Sequence, residues 1–445
     1  MRKVLKFGGT SLGSAGALQR AAGIIREELP RGGLVVVSAL SGTTDALLRA
    51  MEAASRGERE AAREQAATLW RRHLGVARDL GVLEALEPLW APEFQRLAGL
   101  LEGMGLLWEA SPRARDAALA VGETLSALLV AEFLNAQGTG ARFADARSVL
   151  KTDSRHGRAR PRLEALRQAA GPWRQALEAG ELWVTQGFLG AAPDGSTTTL
   201  GRGGSDTSAT LLGEALDAEE VQIWTDVDGV LTADPSLVPE ARPIPAMSLR
   251  EAAALSAFGA KVLHADALAP VGRGGFRLVV ANTHRPDGCR TLILREAPPR
   301  RPGEITSVAY KEGVWALRLP AEADLERLAD AAFRLQETGA ARYGLLATPE
   351  GGLLLVRPET EAARNLVEAL AAEGLQVESG LAVVALVGEG LREGRGRALA
   401  ILANLHAEPI AGLLAGDTGI ALALVLPQER LPLLIPQLHR HVLES

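Results

Sequence analysis

The alternation of apolar and polar positions divides the chain into short apolar runs separated by stretches of helical period. Val4–Phe7, interrupted only by Lys6, and Leu34–Val37 suit short strands of a buried parallel sheet. Each runs into small and hydroxyl residues, Gly8-Gly9-Thr10-Ser11 after the first and Ser38-Ala39-Leu40-Ser41-Gly42-Thr43-Thr44-Asp45 after the second. Helical spacing occupies Ser14–Leu29 and then Ala46 to about Leu107, where Ala, Leu, Glu and Arg dominate and β signals are few. Pro112 marks a helix start near Arg113, with helical pattern through Gly122-Glu123 to Ala136. Further strands are predicted at Arg142–Asp145, Leu182–Leu189, Val221–Trp224, Leu278–Val280 and Thr291–Leu294, and helices at Pro161–Gly171, Ala209–Leu216 and Ser248–Ser256. The fold class expected is α/β, with an open, mostly parallel sheet sandwiched by helices. In such sheets a ligand crevice lies beyond the carboxyl ends of the strands.

Ala297-Pro298-Pro299-Arg300-Arg301-Pro302-Gly303 reads as a linker. Beyond it come Val314–Leu319, Leu325–Leu335, Tyr343–Ala347, Leu353–Val356, Ala362–Ala372 and Gln376–Ser379, one strand–helix–strand–strand–helix–strand set. A second set uses Ala382–Val387, Arg397–Leu405, Ile410–Leu414, Ile420–Leu426 and Leu431–Val442. It lacks one strand, for which Ile305–Tyr310 is the candidate. Two ferredoxin-like βαββαβ modules follow from this pattern. The expected domains are residues 1–296, 304–379 and 380–445, the last completed by a strand from 305–310.

The stretch Thr197–Ser208, TTTLGRGGSDTS, adds candidate chemistry. Its glycines allow close backbone approach, and amides ahead of a helix can hold an anion. Arg202 among those glycines suits bidentate capture of a carboxylate or phosphate. By itself the stretch also reads as an ordinary glycine-rich surface loop. Lys6 precedes its glycines, whereas the lysine of a P-loop follows them, so no P-loop is assigned. Glu123 lies among Ala, Gly and Leu, and spacing leaves it open whether it faces inward or the wet side of its helix. Asp226 and Asp228 alternate near a strand end without a third ligand at calcium-loop spacing, so no metal ligand is assigned. Gly388–Gly394 misses a dinucleotide fingerprint by one residue, and His439 and His441 fall on different helix faces. Trp70 and Trp90 read as core anchors, since neither has a clustered aromatic partner in sequence.

Composition narrows the classes. The 445 residues, 47% hydrophobic and 23% charged, match a soluble protein of two or three domains. A net charge of −6 argues against a nucleic-acid binder, and the basic run Arg142–Arg162 is interrupted by Asp145 and Asp153. The single cysteine, Cys289, excludes an intrachain disulfide framework and suits the cytoplasm. No signal peptide is read at the start, and no apolar run is expected to reach membrane-spanning length.

KFGGTS (Lys6–Ser11), VVVSALSGTTD (Val35–Asp45), GETLSA (Gly122–Ala127), TTTLGRGGSD (Thr197–Asp206), WTDVDGV (Trp224–Val230) and FGAKVLH (Phe258–His264) together resemble the aspartate kinase family, within the amino-acid kinase superfamily. VVALVGEG (Val383–Gly390) is similar to part of that family's paired C-terminal ACT modules. The resemblance implies transfer of the γ-phosphoryl group of ATP, with Mg²⁺, to the side-chain carboxylate of L-aspartate. That carboxylate, with an ordinary pKa near ~4, is already ionised at neutral pH and needs no general base. Bringing an anion to a polyanion then falls to lysines, backbone amides and the metal.

The resemblance further implies that Lys6, with Gly8, Gly9 and Ser11, contacts the phosphates, and that Asp206 orients Lys6 or the metal–phosphate assembly. Arg202 clamps the aspartate α-carboxylate with Ser205 and Thr44 nearby, and Glu123 accepts from its ammonium group. Thr225, Asp226 and Lys261 serve the nucleotide. A homodimer or homotetramer, and lysine or threonine as effector, are also implied. Several positions depart from the family pattern: Leu231 replaces an aromatic residue, Ser236 an arginine and Ala265 a proline. Trp315–Glu337 lacks the small-residue pattern of the effector site, and Asp417-Thr418-Gly419 replaces a serine-bearing turn. Two rivals remain at this point, an inactive kinase-like amino-acid sensor and a related acyl-phosphate kinase.

Overall fold

The apolar runs at the start of the chain form the middle of an eight-stranded sheet. A computed structural model describes residues 2–259, 263–296, 298–320, 325–348, 351–403, 412–415 and 419–443. They fall into two compact units. One comprises Met1–Val230, Pro243–Leu249 and Val262–Ala297, the other Leu231–Arg242, Arg250–Lys261 and Pro298–Ser445.

In the first unit the strands are β1 (Lys3–Phe7), β2 (Gly33–Val37), β3 (Arg142–Phe143), β4 (Leu182–Gln186), β5 (Leu189–Ala191), β6 (Thr197–Thr199), β7 (Glu220–Thr225), β8 (Ala246–Ser248), β9 (Arg277–Asn282) and β10 (Thr291–Leu294). Its helices are α1 (Ala15–Glu28), α2 (Thr43–Ser55), α3 (Arg59–Asp79), α4 (Leu83–Leu107), α5 (Pro112–Ala136), α6 (Leu163–Ala169), α7 (Gly171–Glu178), α8 (Gly204–Ala215) and α10 (Ala265–Gly274). Helix α9 (Leu249–Ala257) belongs, after its first residue, to the second unit. The sheet runs β3-β4-β2-β1-β7-β9-β10-β8, and β5 pairs with β6 in a separate hairpin. All neighbours in the large sheet are parallel except β9 and β10. Lys6 stands opposite Val36 on one side and Ile223 on the other, so the lysine sits where the chain order departs in both directions.

Three places in this unit bear on the expectations from sequence. The strand expected over Leu182–Leu189 breaks after Gln186, where Phe188 takes φ 68°. Trp70 and Trp90 are core anchors, as expected: Trp90 is buried and Trp70 packs against the same core. Their ring centroids lie 5.9 Å apart, and Trp70 is 4.4 Å from Phe94, because adjacent helices bring together residues distant in sequence. Helix α5 has the length and apolar composition of a membrane span, contrary to the expectation that no run would. The other elements bury 78% of that window, which makes it the core helix of this unit.

A polar network ties the strands beneath Lys6. Glu28 of α1 receives Lys3, Gln222 and Arg290 at 2.9, 2.8 and 2.6 Å. Burial alone would raise its pKa, but those donors hold it at about 2. Arg290 also lies 4.9 Å over the ring of Trp224, which stacks on Phe7 of β1.

The second unit carries β11 (Ser307–Pro320), α11 (Leu325–Glu337), β12 (Ala340–Thr348), β13 (Gly351–Pro358), α12 (Glu361–Ala372), β14 (Gln376–Val387), α13 (Arg395–Ala403), β15 (Gly412–Ala415), β16 (Ala421–Pro427) and α14 (Leu431–Leu443). They form one antiparallel sheet, β12-β13-β11-β14-β16-β15. The candidate strand at Ile305–Tyr310 and the predicted Val314–Leu319 are one continuous β11. Its first half pairs with Ala382–Val387 and its second half also pairs with Gly351–Val356. Likewise β14 joins two predicted strands, and position 379/380 falls inside it.

The Pro/Arg stretch after 297 is packed rather than loose: the Gly303 N–H donates to the Gly390 carbonyl at 2.7 Å. A Cβ at Gly390 would lie 2.4 Å from the Arg301 carbonyl oxygen, so this near-fingerprint glycine serves close packing. Segment 231–242 is part of the same unit. Ala233 and Val238 join its core, Val308 N–H donates to the Thr232 carbonyl at 2.9 Å, and His439 Nε2 lies 2.8 Å from Thr232 Oγ1.

Candidate active site

Three segments of the first unit converge beyond the carboxyl ends of β1 and β2. Lys6, at the end of β1, is buried, and its Nζ lies 2.6 Å from Asp206 Oδ1 in the first turn of α8. A charge this enclosed is stable only with such a partner. The loops after β1 and β2 are laced together. Ser38 N–H donates to the Phe7 carbonyl and Ser41 N–H to the Gly9 carbonyl, both at 3.1 Å. A Cβ at Gly9 would sit 2.8 Å from the Ala39 carbonyl oxygen, so only glycine permits the crossing.

Gly203 precedes helix α8, takes φ 68° and offers no side-chain cap; Gly204 N–H donates to the Gly201 carbonyl at 3.0 Å, leaving the next first-turn amides for an anion. Helix α5 closes the third side. Ser126 Oγ donates to the Ser38 carbonyl at 2.7 Å and Glu123 points inward. Burial pushes the Glu123 carboxyl up to about 8, against the Ala39 N–H and the charge of Lys6, which both lower it. Its Oε2 is buried and has no hydrogen-bond partner in the fold. That settles the choice left open by spacing.

The resulting cleft has a volume of about 460 Å³. Among the residues predicted from sequence, Lys6, Gly9, Thr44, Glu123, Ser205 and Asp206 line it. Gly8 lies directly beneath: its N–H donates to the Trp224 carbonyl, and a Cβ there would be 3.5 Å from Lys6 Nζ. Arg202 stands between the lining residues Gly201 and Gly203, but its own side chain is exposed and off the lining. Ser11 is buried away from the cleft, its Oγ 2.7 Å from Thr283 Oγ1. Thr225 and Asp226 are at the end of β7, outside the lining, with Thr225 Oγ1 donating to Asp226 Oδ1 at 3.2 Å. Lys261 lies outside the described residues, as do Asp417 and Thr418.

Asp228 does not form a metal pair with Asp226. It accepts from Asn282 Nδ2 at 2.7 Å and pairs with Arg285. Among the described residues no cluster of three His, Cys, Asp or Glu could hold a metal by itself. Ser236 donates its N–H and its hydroxyl to Asp234 Oδ1, at 2.9 and 2.6 Å, and Ala265 is the first residue of α10. Phe188 lines the cleft and Arg72 of α3 holds two of its loops by donating to the Ser41 and Gly13 carbonyls. Neither was singled out from sequence. Phe188 stood inside an apparently regular strand and Arg72 among many helical arginines, so no local signal marked them.

The cleft therefore offers an ammonium group beside a carboxylate, uncapped helix amides, hydroxyls and a proton-retaining glutamic acid. That set suits two anions and one cationic group. A model of the amino acid kinase family matches residues 1–282. The chain is 34% identical over 463 residues to the lysine-sensitive aspartokinase 3 of Escherichia coli, covering 99% of each. With an aspartokinase of Chlamydia muridarum it shares 39% identity over 280 residues, 63% of this chain and 60% of that one. The solved E. coli aspartokinase III in complex with aspartate and ADP (R-state) superposes with a TM-score of 0.86 at 30% identity, covering 100% of both chains. The lysine and aspartate complex (T-state) gives 0.81 at 29% identity, covering 99% of each.

Proposed function

The chain belongs to the aspartokinases within the amino acid kinase family, and from that premise we propose how its residues carry the γ-phosphoryl group of ATP to the side-chain carboxylate of L-aspartate. The observation that carries the reading is the Lys6–Asp206 ion pair at 2.6 Å, inside a cleft edged by the amides of α8. Lys6 stabilises the charge spreading over the transferring phosphoryl oxygens, and Asp206 keeps its ammonium group aimed between the two reactants. Gly8 and Gly9 let the phosphates approach the backbone. Glu123 accepts from the aspartate ammonium group, with Ser205 and Thr44 as neighbouring donors. Arg202, swinging from its exposed position, holds the α-carboxylate. Ser11, through Thr283, keeps the β1 loop in place on the nucleotide side, where Thr225, Asp226 and Lys261 serve.

Mg²⁺ fits this site as an ion carried mainly by the nucleotide, since such ions use one or two protein carboxylates and keep several waters. Asp226, exposed at the end of β7, is the carboxylate free to share it. When bound, the ion neutralises phosphate charge. The attacking aspartate carboxylate is already ionised, so the protein supplies no general base.

The C-terminal sheet is read as a pair of ACT-type modules, residues 304–379 and 380–445, that mediate a homodimer or homotetramer. Their departures at Trp315–Glu337 and Asp417-Thr418-Gly419 favour weak or altered effector binding. An exposed, unpaired Cys289 suits the cytoplasm. The test is a panel of single amino acids with ATP, trapping acyl phosphate with hydroxylamine. Hydroxamate should form with aspartate. A preference for glutamate would favour a related acyl-phosphate kinase, and no turnover at all would favour an inactive sensor. Adding lysine or threonine to the same assay tests the effector reading: strong inhibition by either rejects weak binding.

A further inference from the structure

Helix α5 carries a second inward carboxylate that the phosphoryl transfer does not use. Asp116 is 1% exposed and lies seven residues, two helical turns, before Glu123, so both project from one side of the helix. Glu123 opens into the cleft, whereas Asp116 does not line it.

Its carboxylate gathers four donors from two other segments. Thr199 gives its N–H at 3.1 Å and its hydroxyl at 2.6 Å. Gly157 gives its N–H at 3.0 Å, and His156 Nδ1 lies 3.0 Å away, the donor in the tautomer that a carboxylate selects. A buried carboxylate costs several kcal/mol unless its oxygens are satisfied, and these are.

What the donors have in common is their place in the chain. Thr199 immediately precedes Leu200-Gly201-Arg202-Gly203. The 156–159 loop packs against the same turn: the Gly157 carbonyl is 3.2 Å from where a Cβ of Gly201 would stand, and Ala159 N–H donates to the Thr199 carbonyl at 2.9 Å. Both segments that border the glycine-rich turn are thus fixed by one carboxylate. Directional hydrogen bonds fix a backbone more tightly than apolar packing of the same volume.

We propose that Asp116 is a positioning residue for aspartate. It holds the turn Leu200–Gly203 so that Arg202 and the first amides of α8 meet the substrate α-carboxylate, and it acts on aspartate rather than on the nucleotide. The inference rests on the reading that Arg202 is the carboxylate clamp.

The experiment is steady-state kinetics of the full chain for Asp116→Asn, Thr199→Val, Arg202→Ala and the Asp116→Asn/Arg202→Ala pair. Asp116→Asn is expected to raise the aspartate KM about tenfold while kcat and the ATP KM stay within about twofold, a split that general loss of structure would not give. Thr199→Val, which removes one donor and keeps the shape, should raise the aspartate KM about threefold. In the Arg202→Ala background the Asp116→Asn factor should shrink by more than half, because the two act through one turn. Equal rises in both KM values, an unchanged aspartate KM in Thr199→Val, or independent factors in the pair would overturn the proposal. Should Asp116→Asn fail to fold, Thr199→Val decides alone. An unchanged aspartate KM in Arg202→Ala removes instead the clamp reading.

Discussion

The cleft of the first unit and the sheet of the second solve opposite problems with similar strands and helices. In the cleft, glycines and short loops bring charged groups close together and leave some of their atoms without partners, as at Glu123 Oε2. In the C-terminal unit, Ala382–Val387 and Ala421–Leu426 are buried, and the buried glutamate of α9 has donors within the fold. Glu251 of α9 is fully buried, accepting from Thr306 Oγ1 at 2.5 Å and from the Glu389 N–H at 3.0 Å. A satisfied buried carboxylate stabilises a fold, and an unsatisfied one waits for a ligand. Substitutions in the cleft should therefore be marked by changes in turnover or KM, and those in the second region by losses of stability alone.

The largest expected effect is in the cleft. Lys6→Met removes the cation that faces both reactants, and kcat should fall by ~10³-fold or more. The unfolding midpoint should fall as well, because Asp206 Oδ1 is buried and loses its cation. ADP release in the presence of aspartate, measured beside a thermal melt, checks both halves. A fall of less than tenfold would take Lys6 out of the chemistry.

Glu251→Ala is the counterpart in the second unit. It leaves the buried Thr306 hydroxyl and the partly buried Glu389 amide without this acceptor, so a loss of about 2–4 kcal/mol is expected. Urea unfolding followed by circular dichroism measures it. At temperatures where the variant remains folded, the aspartate and ATP KM values should stay as they were. A selective change in either would break the separation between the regions.

How far these roles could be read in advance follows the same division. Lys6 and Asp206 were legible through KFGGTS and TTTLGRGGSD, whose resemblance to the aspartate kinase family implied their roles, while spacing alone assigned Lys6 no site. Glu123 was half legible: the neighbouring small residues were visible, but only the packing of Gly122 against Thr43 turns the helix inward. Asp116 gave no signal, because its donors come from positions about 40 and 83 residues away. In the second unit the strands were found but not their continuity. Lys311-Glu312-Gly313 falls between two predicted strands and is a bulge within β11, with Gly313 at φ 71°. A polar break in an apolar run marks either a turn or a bulge, and strand pairing decides between them.

The smallest effect expected is also the one that joins stability to function, through pH at Glu123. Its pKa in the fold is about 8 against an ordinary 4.5, so the folded chain keeps a proton that the unfolded chain releases. The stability this group contributes is complete below about 4.5 and is lost progressively as pH rises toward 8. Each pKa unit corresponds to about 1.4 kcal/mol, and part of the difference is relieved by local hydration, so Glu123→Gln should gain about 1–3 kcal/mol at pH 8 and little at pH 4.5. The same substitution should weaken aspartate binding, since a neutral amide replaces the acceptor of the ammonium group. In the unsubstituted enzyme the aspartate KM should fall about tenfold between pH 6.5 and 8 as the carboxyl ionises, and in Glu123→Gln that slope should vanish. Melting curves and KM profiles over this range measure the two together. A variant that melts higher yet keeps the pH slope would assign the titration to another group, and an unsubstituted enzyme with no slope between pH 6.5 and 8 would mean that Glu123 is already ionised in the free cleft.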